Sequence, residues 1–394
     1  MKTIVIGHPT MGRGGSEAAA MWLIQSLKDD FDVTLVTTRT VDIDDPNHFY
    51  GTTIQPGNIK IRIAPSPYFM KINANMAGLR GAFYSRFTRQ IGKDFDLCIS
   101  AYNLSDWGVP ALHFIADFAW DRDLANKFDP TPTKGSKIIH RDNMLRKAYL
   151  QVFKIINGKA KTAESFFDGS HHIVANSQWS AGVIKGKYGY DCDAIVYPPV
   201  VAEFKSVPWD QKEFGFVSIG RISPEKRIEQ QIEILEKVRG LGHYLHFHII
   251  GGCGDDPYGR MIRKKCVGKT WITLEGQKSG QEKEKLLTGH RFAIHTRPHE
   301  PFGITVAELV EAGCLPFLPN SGGQTEIVPF EQLQFSMSDE AVSKINDLLL
   351  NEEKQKSLIK QLDRLKHKFS IHDFCTQARM IVDRCLTKNE RGAD

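Results

Sequence analysis

The sequence predicts an α/β protein made of two Rossmann-like, doubly wound domains facing across a cleft. Three observations carry that expectation. Short β-rich runs alternate with helical patterns, which is the signature of βαβ units and a parallel sheet. The alternation restarts after "AIVYPPVV", and 394 residues exceed the roughly 150 that one core usually takes.

In order along the chain, "TIVIG" leads through a glycine-rich loop to a helix over 16–27, followed by "DVTLVTT", "IKIRIA", "DLCIS", "ALHFIAD" and "HHIVANS". The second series opens on "FGFVSIG", continues with a helix over 228–239, and adds "LHFHIIG", "ITLEG", "RFAIHT" and "CLPFLP". Between them Tyr197, Pro198 and Pro199 make a stiff, extended joint, because proline fixes its own φ and drives the preceding residue out of the helical region. The expected division is 1–199, an acceptor-binding domain, and 200–370, a donor-binding domain. A terminal helix over 371–394 follows the "FSIHD" break and is expected to return to the first domain.

Composition narrows the class. Hydrophobic residues at 41% and charged residues at 25%, with 33 Gly and 18 Pro, fit a soluble globular chain. A net charge of +5 is too mild for nucleic acid but suits an anionic substrate or a lipid surface. Seven cysteines, odd in number and without Cys-x-x-Cys spacing, indicate neither a disulfide framework nor a zinc site. Met1 runs directly into "KTIVIG", and no run approaches the ~20 apolar residues of a membrane span, so the expected location is the cytoplasm.

Three segments sit where an open α/β sheet handles phosphate, at strand ends that feed helix N-termini. In "GHPTMGRGGSEAAA" the third glycine of a dinucleotide fingerprint falls on Glu17, which excludes a nicotinamide enzyme of that type. Gly14 and Gly15 still allow close approach of backbone to a phosphate, with Ser16 as N-cap and Glu17 in the first turn; a plain strand-to-helix turn reads the same way. In "SIGRISPEKRIEQQ", Arg221 and Lys226 flank a Ser-Pro-Glu helix start and form a candidate diphosphate clamp. In "RPHEPFGITVAELVEAG" a helix starting near Gly303 aims the amides of Phe302, Gly303 and Ile304 at an anion, with Glu300 outside that end and Glu308 in its second turn. Carboxylates accept paired hydrogen bonds from vicinal sugar hydroxyls, whereas an acid and nucleophile pair of a hydrolase is the other reading. Asp-x-Asp triplets at 42–44, 121–123 and 191–193 are tied to no nucleotide loop and read as turn or surface aspartates.

Two basic stretches bear on the acceptor. One carries Tyr68, Phe69, Lys71, Arg80, Phe83, Tyr84, Arg86, Phe87 and Arg89; the other runs from Lys137 to Lys161 with Arg141, Arg146, Lys147 and Lys154. Each fits an anionic membrane surface or, equally, one solvated helix face.

The segment "EPFGITVAELVEAGCLPFLPNSGGQTEIV" resembles the E-x7-E region of family 4 retaining glycosyltransferases of the two-domain GT-B fold. "GGSE", "IVANSQWS", "VYPPV" and "GRISPEKR" are similar to further segments of that family in the expected order. The "AELVEAGCLP" run, His295, His299 and Cys253 depart from its commoner residues. The resemblance implies that Arg221 and Lys226 bind a donor diphosphate, Glu308 the ribose, and Glu300 with the amides of Phe302, Gly303 and Ile304 the donor sugar and its phosphate. It places Gly251 and Gly252 near the nucleotide, Gly276 and Gln277 near the base, Gly14 and Gly15 near the donor phosphate or acceptor, and His113 at a strand end near the transferring sugar. The implied reaction moves a hexose or N-acetylhexosamine from a UDP- or GDP-sugar to a glycan or lipid-linked acceptor, with retention, no metal and no other cofactor. The membrane reading of the two basic stretches, separately from the resemblance, implies peripheral association at the inner face of a membrane. An epimerase or phosphorylase on the same scaffold, or a degenerate partner subunit, remains open.

Overall fold

The computed structural model describes residues 1–67, 77–129, 151–153, 155–158, 161–201 and 204–391. The chain divides into two compact units, one of Met1–Pro199 with Ile371–Asp394 and one of Val200–Ser370.

The first unit is built on a seven-stranded parallel sheet. Its strands are β1 (Thr3–Gly7), β2 (Asp32–Thr37), β3 (Ile59–Ile63), β4 (Leu97–Ser100), β5 (Leu112–Ile115), β6 (His172–Ala175) and β7 (Ala194–Ile195), in the order β3-β2-β1-β4-β5-β6-β7. The central strands are nearly continuous apolar runs, as a parallel sheet covered on both faces requires. Helix Gly15–Leu27 buries Ala18, Ala20, Met21, Leu23, Ile24 and Leu27. Against it packs the closing helix Ile371–Arg391, whose buried Phe374, Ala378, Ile381, Val382 and Cys385 recur at helical spacing. Arg379 ties the two helices by donating to the Ser26 carbonyl at 3.2 Å and pairing with Asp30 at 2.5 Å.

Two local expectations are corrected. Helix Gly15–Leu27 is capped by Gly14 in an extended conformation, not by Ser16, whose hydroxyl sits inside the first turn and donates to the Glu17 carboxylate at 2.9 Å. The Ser-Pro-Glu sequence does not start the long helix. Pro224–Lys226 forms its own 3-10 turn, Arg227 takes a left-handed conformation (φ 50°), and helix Ile228–Gly240 begins after it.

The basic stretches are only partly described: 68–76, including Tyr68, Phe69 and Lys71, lie outside the described residues, as do Lys137, Arg141, Arg146, Lys147 and Lys154. Within helix Ala77–Ile91, Tyr84 is buried and Arg89 pairs with the buried Asp106 at 3.2 Å, so neither is offered to a membrane face. Phe83, Arg86 and Phe87 instead line a 330 Å³ surface cavity with Pro65 and Pro67. Among the described residues no helix is long and apolar enough to cross a membrane.

The second unit holds a six-stranded parallel sheet of β8 (Glu213–Ile219), β9 (His246–Ile250), β10 (Ile272–Gly276), β11 (His290–Ile294), β12 (Leu315–Pro319) and β13 (Gln334–Phe335), ordered β10-β9-β8-β11-β12-β13. Strand order reverses between β8 and β11, the position at which an open parallel sheet places its ligand crevice, at the carboxyl edge.

Candidate active site

The loops that follow β8, β9, β10 and β11 bring most of the expected residues of the second unit to one sheet edge. After β8, Gly220 N–H donates to the Ile250 carbonyl at 2.9 Å and Ile222 N–H to that of Gly252 at 3.1 Å, so the Arg221 loop runs beside Gly251 and Gly252. A Cβ at Gly251 would overlap the Gly220 carbonyl; only glycine lets the backbones come that close. Gly251 N–H in turn donates to the Gly276 carbonyl at 2.8 Å, which fixes the end of β10, and Gln277 beyond it is exposed.

The loop after β11 is pinned more tightly. Thr296 donates its hydroxyl to the carbonyls of Lys226 and Arg227, at 2.8 and 3.1 Å, joining the two loops at the point of strand-order reversal. Gln324 donates to the Arg297 carbonyl at 3.0 Å, and Gly323 N–H to that of Glu300 at 2.9 Å. His299 and Gly303 adopt left-handed φ values of 53° and 105°, which a β-branched residue would resist. Helix Ile304–Glu311 then starts with Gly303 as its cap, Phe302 buried beneath it against Phe369. Its first turn leaves backbone N–H groups without intrahelical acceptors, a ready anion site.

Charge is concentrated at this edge. Glu300 receives Lys226 at 3.1 Å, Arg297 at 3.3 Å and the His295 ring at 3.4 Å, with its own side chain only 14% exposed. Burial raises the carboxyl's pKa, but Lys226 first, then Arg297 and His295, outweigh it and hold Glu300 well below the usual range. Glu308 pairs with Lys283 at 2.7 Å. Arg221 stands apart: its side chain is 86% exposed and its nearest carboxylate, Glu225, is 3.9 Å away. Arg297, His295 and Lys283 are therefore site residues that the sequence motifs did not single out. Arg297, three residues before Glu300, carried a spacing signal; Lys283, on helix Gly280–Thr288, carried none.

In the first unit the picture differs. Gly14 N–H donates to the Tyr50 hydroxyl at 2.7 Å, and Gly12 N–H reaches Glu17 at 3.3 Å, so the glycine loop is closed on protein groups. His113 needs correcting. It is the second residue of β5 rather than a strand end, and it is fully buried. Its Nε2 lies 3.0 Å from His171 Nδ1, and the other nitrogen of His171 lies 2.7 Å from the Lys161 ammonium. Burial first, and then His171, keeps His113 neutral and well below its ordinary pKa. That ring is held within a buried His113–His171–Lys161 chain of contacts. The Asp-x-Asp residues are likewise structural here: Asp121 caps helix Arg122–Phe128, and Asp193 holds His172.

Residues 201–364 match the family model described as glycosyl transferases group 1. The match takes in nearly all of the second unit and none of the first. Arg221, Lys226, Gly251, Gly252, Gly276, Gln277, Glu300, Phe302, Gly303, Ile304 and Glu308 all fall inside this group 1 segment; Gly14, Gly15 and His113 do not. Mouse GDP-Man:Man(3)GlcNAc(2)-PP-Dol alpha-1,2-mannosyltransferase is 31% identical over 207 residues, 47% of this chain and 40% of its own. The protein of the same name from Caenorhabditis elegans is 22% identical over 367 residues, 82% of this chain and 77% of its own. The chain thus spans less than half the length of the mouse relative it matches. Anabaena HepE in complex with UDP-glucose aligns with a TM-score of 0.65 at 14% identity, over 98% of this chain and 100% of its own, which shows the shared GT-B glycosyltransferase fold of two Rossmann-like domains.

Proposed function

We propose that this chain is a retaining glycosyltransferase that moves mannose from GDP-mannose to a hydroxyl of a lipid-linked glycan. The observation that carries the reading is the Lys226–Glu300 pair at the crevice where strand order reverses. Without donor, each charge satisfies the other. A diphosphate entering beside the Gly303 helix end takes over the Lys226 ammonium, and Glu300 is released to accept from hydroxyls of the sugar. Exposed Arg221 folds onto the same diphosphate, and Glu308 exchanges Lys283 for the ribose.

In the transfer step the bond from the sugar C1 to the β-phosphate oxygen breaks, and a bond to the acceptor oxygen forms on the same face. The acceptor proton goes to the departing phosphate oxygen. Lys226, Arg221 and the helix-end amides stabilise the charge that grows there; single donors in comparable oxyanion sites contribute ~2.7 to 4 kcal/mol. The names of the mouse and nematode relatives support GDP-mannose and a lipid-linked acceptor.

Calorimetric titration with GDP, UDP, ADP and GDP-mannose tests the donor half. GDP and GDP-mannose are expected to bind selectively, and Arg221→Ala and Glu308→Ala each to weaken them about 10- to 100-fold, the loss of one charged hydrogen-bonding partner of ~1.5 to 3 kcal/mol. Silence towards every nucleotide would sink the reading. Release of GDP that requires an added lipid-linked oligosaccharide tests the acceptor half.

A further inference from the structure

At the opposite edge of the second sheet, where the strands begin, three histidines meet. His246 and His290 are the first residues of β9 and β11, His248 is the third of β9, and one ring nitrogen of each lies within 4.8 Å of the others. Strand β8 runs between them, and its Gly215 makes the meeting possible: a Cβ there would collide with the His246 ring, which lies across β8 towards His290. The ring centroids form a triangle with sides of 5.1, 5.1 and 4.9 Å. A tetrahedral ion with nitrogen ligands at about 2.05 Å sets ring centroids about 5.2 Å apart and neighbouring ligand atoms about 3.3 Å apart.

The other contacts fit the same centre. His246 Nε2 is 3.1 Å from His290 Nε2 and 3.1 Å from Oε2 of Glu213, the first residue of β8. His290 donates its Nδ1–H to the Leu286 carbonyl at 2.6 Å, and His248 its Nδ1–H to the Glu275 carboxylate at 2.7 Å, leaving both Nε2 lone pairs for a ligand role. An imidazole oriented through its far nitrogen by a carboxylate or carbonyl is the outer arrangement that histidine metal ligands use.

We infer that His246, His248 and His290, with Glu213 as fourth ligand, form a binding site for a divalent transition metal, best matched by Zn²⁺. Three imidazoles and a carboxylate suit a borderline cation and disfavour Mg²⁺ or Ca²⁺, which take oxygen. The ion clamps β9 to β11 across β8. It lies at the strand ends remote from the loops of Arg221 and Glu300, so its role is structural and separate from sugar transfer.

The test uses the full chain, stripped with a chelator and titrated with Co²⁺ and with Zn²⁺. One equivalent of Co²⁺ should give tetrahedral d–d absorption without the near-ultraviolet sulfur charge-transfer band of a cysteine site, and Zn²⁺ should displace it and raise the melting temperature. His246→Gln with His248→Gln should abolish that spectrum while circular dichroism stays unchanged, and Glu275→Gln should weaken binding about 10- to 100-fold. No stoichiometric binding by the wild type, a sulfur band, or undiminished binding in the double variant would each overturn the assignment.

Discussion

At the scale of single residues, Glu300 and Lys226 stood out because each lies in a glycine-containing loop that follows a strand, a pattern that reads as a ligand loop. That they pair with each other was not legible. They are 74 positions apart, and only the strand order brings their loops together. The same limit hid Lys283 behind Glu308 and the three histidines from one another. The pairing of His113 with His171 was hidden for a different reason: a polar residue on a buried strand looks the same in sequence whether it faces a ligand or another buried ring. His172 supplies a residue-scale prediction. Its hydrogen bond to Asp193, and next the Cys385 sulfur, raise it to about 9, while His172 and the Ile173 amide outweigh burial and hold Asp193 at about 2. A raised histidine stabilises the fold fully below its unfolded value of 6.5 and loses that contribution as pH climbs through 9. A depressed aspartate stabilises above 3.8 and loses it as pH falls towards 2. Melting temperature should therefore decline between pH 6.5 and 9 in the wild type, and His172→Gln should flatten that limb. An unaltered decline in the variant would remove this pair as the cause.

Elements were read well where a strand ran into glycine and poorly where proline opened a turn. Proline at the first position suits a 3-10 turn as well as an α-helix, so "SPEK" gave no means of choosing, and the left-handed Arg227 that separates turn from helix has no sequence mark. Glycine positions were more informative than their neighbours suggested. Gly251 was expected near a nucleotide; the structure adds that it permits the β8 and β9 loops to touch. Gly251→Ala should force those loops apart at a cost of about 1 to 3 kcal/mol, the usual range for overpacking, and should lower the melting temperature. It should also weaken GDP binding, because Arg221 travels with the displaced loop. A variant with wild-type melting and affinity would show that the loops relax without consequence.

For the molecule as a whole, the restart of the strand–helix alternation foretold two sheets, and the parallel ladders agree with the continuous apolar strands. Strand order within each sheet could not be read, since every run has similar composition. Each unit has its own core, but the first is discontinuous in sequence: helix Ile371–Arg391 belongs to it although the whole second unit intervenes. Burying Phe374, Ile381, Val382 and Leu386 contributes about 6 to 12 kcal/mol, comparable with the ~5 to 15 kcal/mol net stability of a typical domain. A chain truncated after Ser370 should thus lose the melting transition of the first unit and keep that of the second. Retention of both transitions would mean that the helix is dispensable.

That discontinuity also orders events on the ribosome. The seven strands of the first unit are synthesised before the second unit, while the helix that packs against Gly15–Leu27 follows about 170 residues later. At about 5 to 20 residues per second the nascent first sheet waits roughly 10 to 35 s with one flank uncovered. During that interval the second unit emerges complete and is free to fold. Helix Ile371–Arg391 then closes the first unit, so the unit whose synthesis begins first is completed only after the second unit has been made.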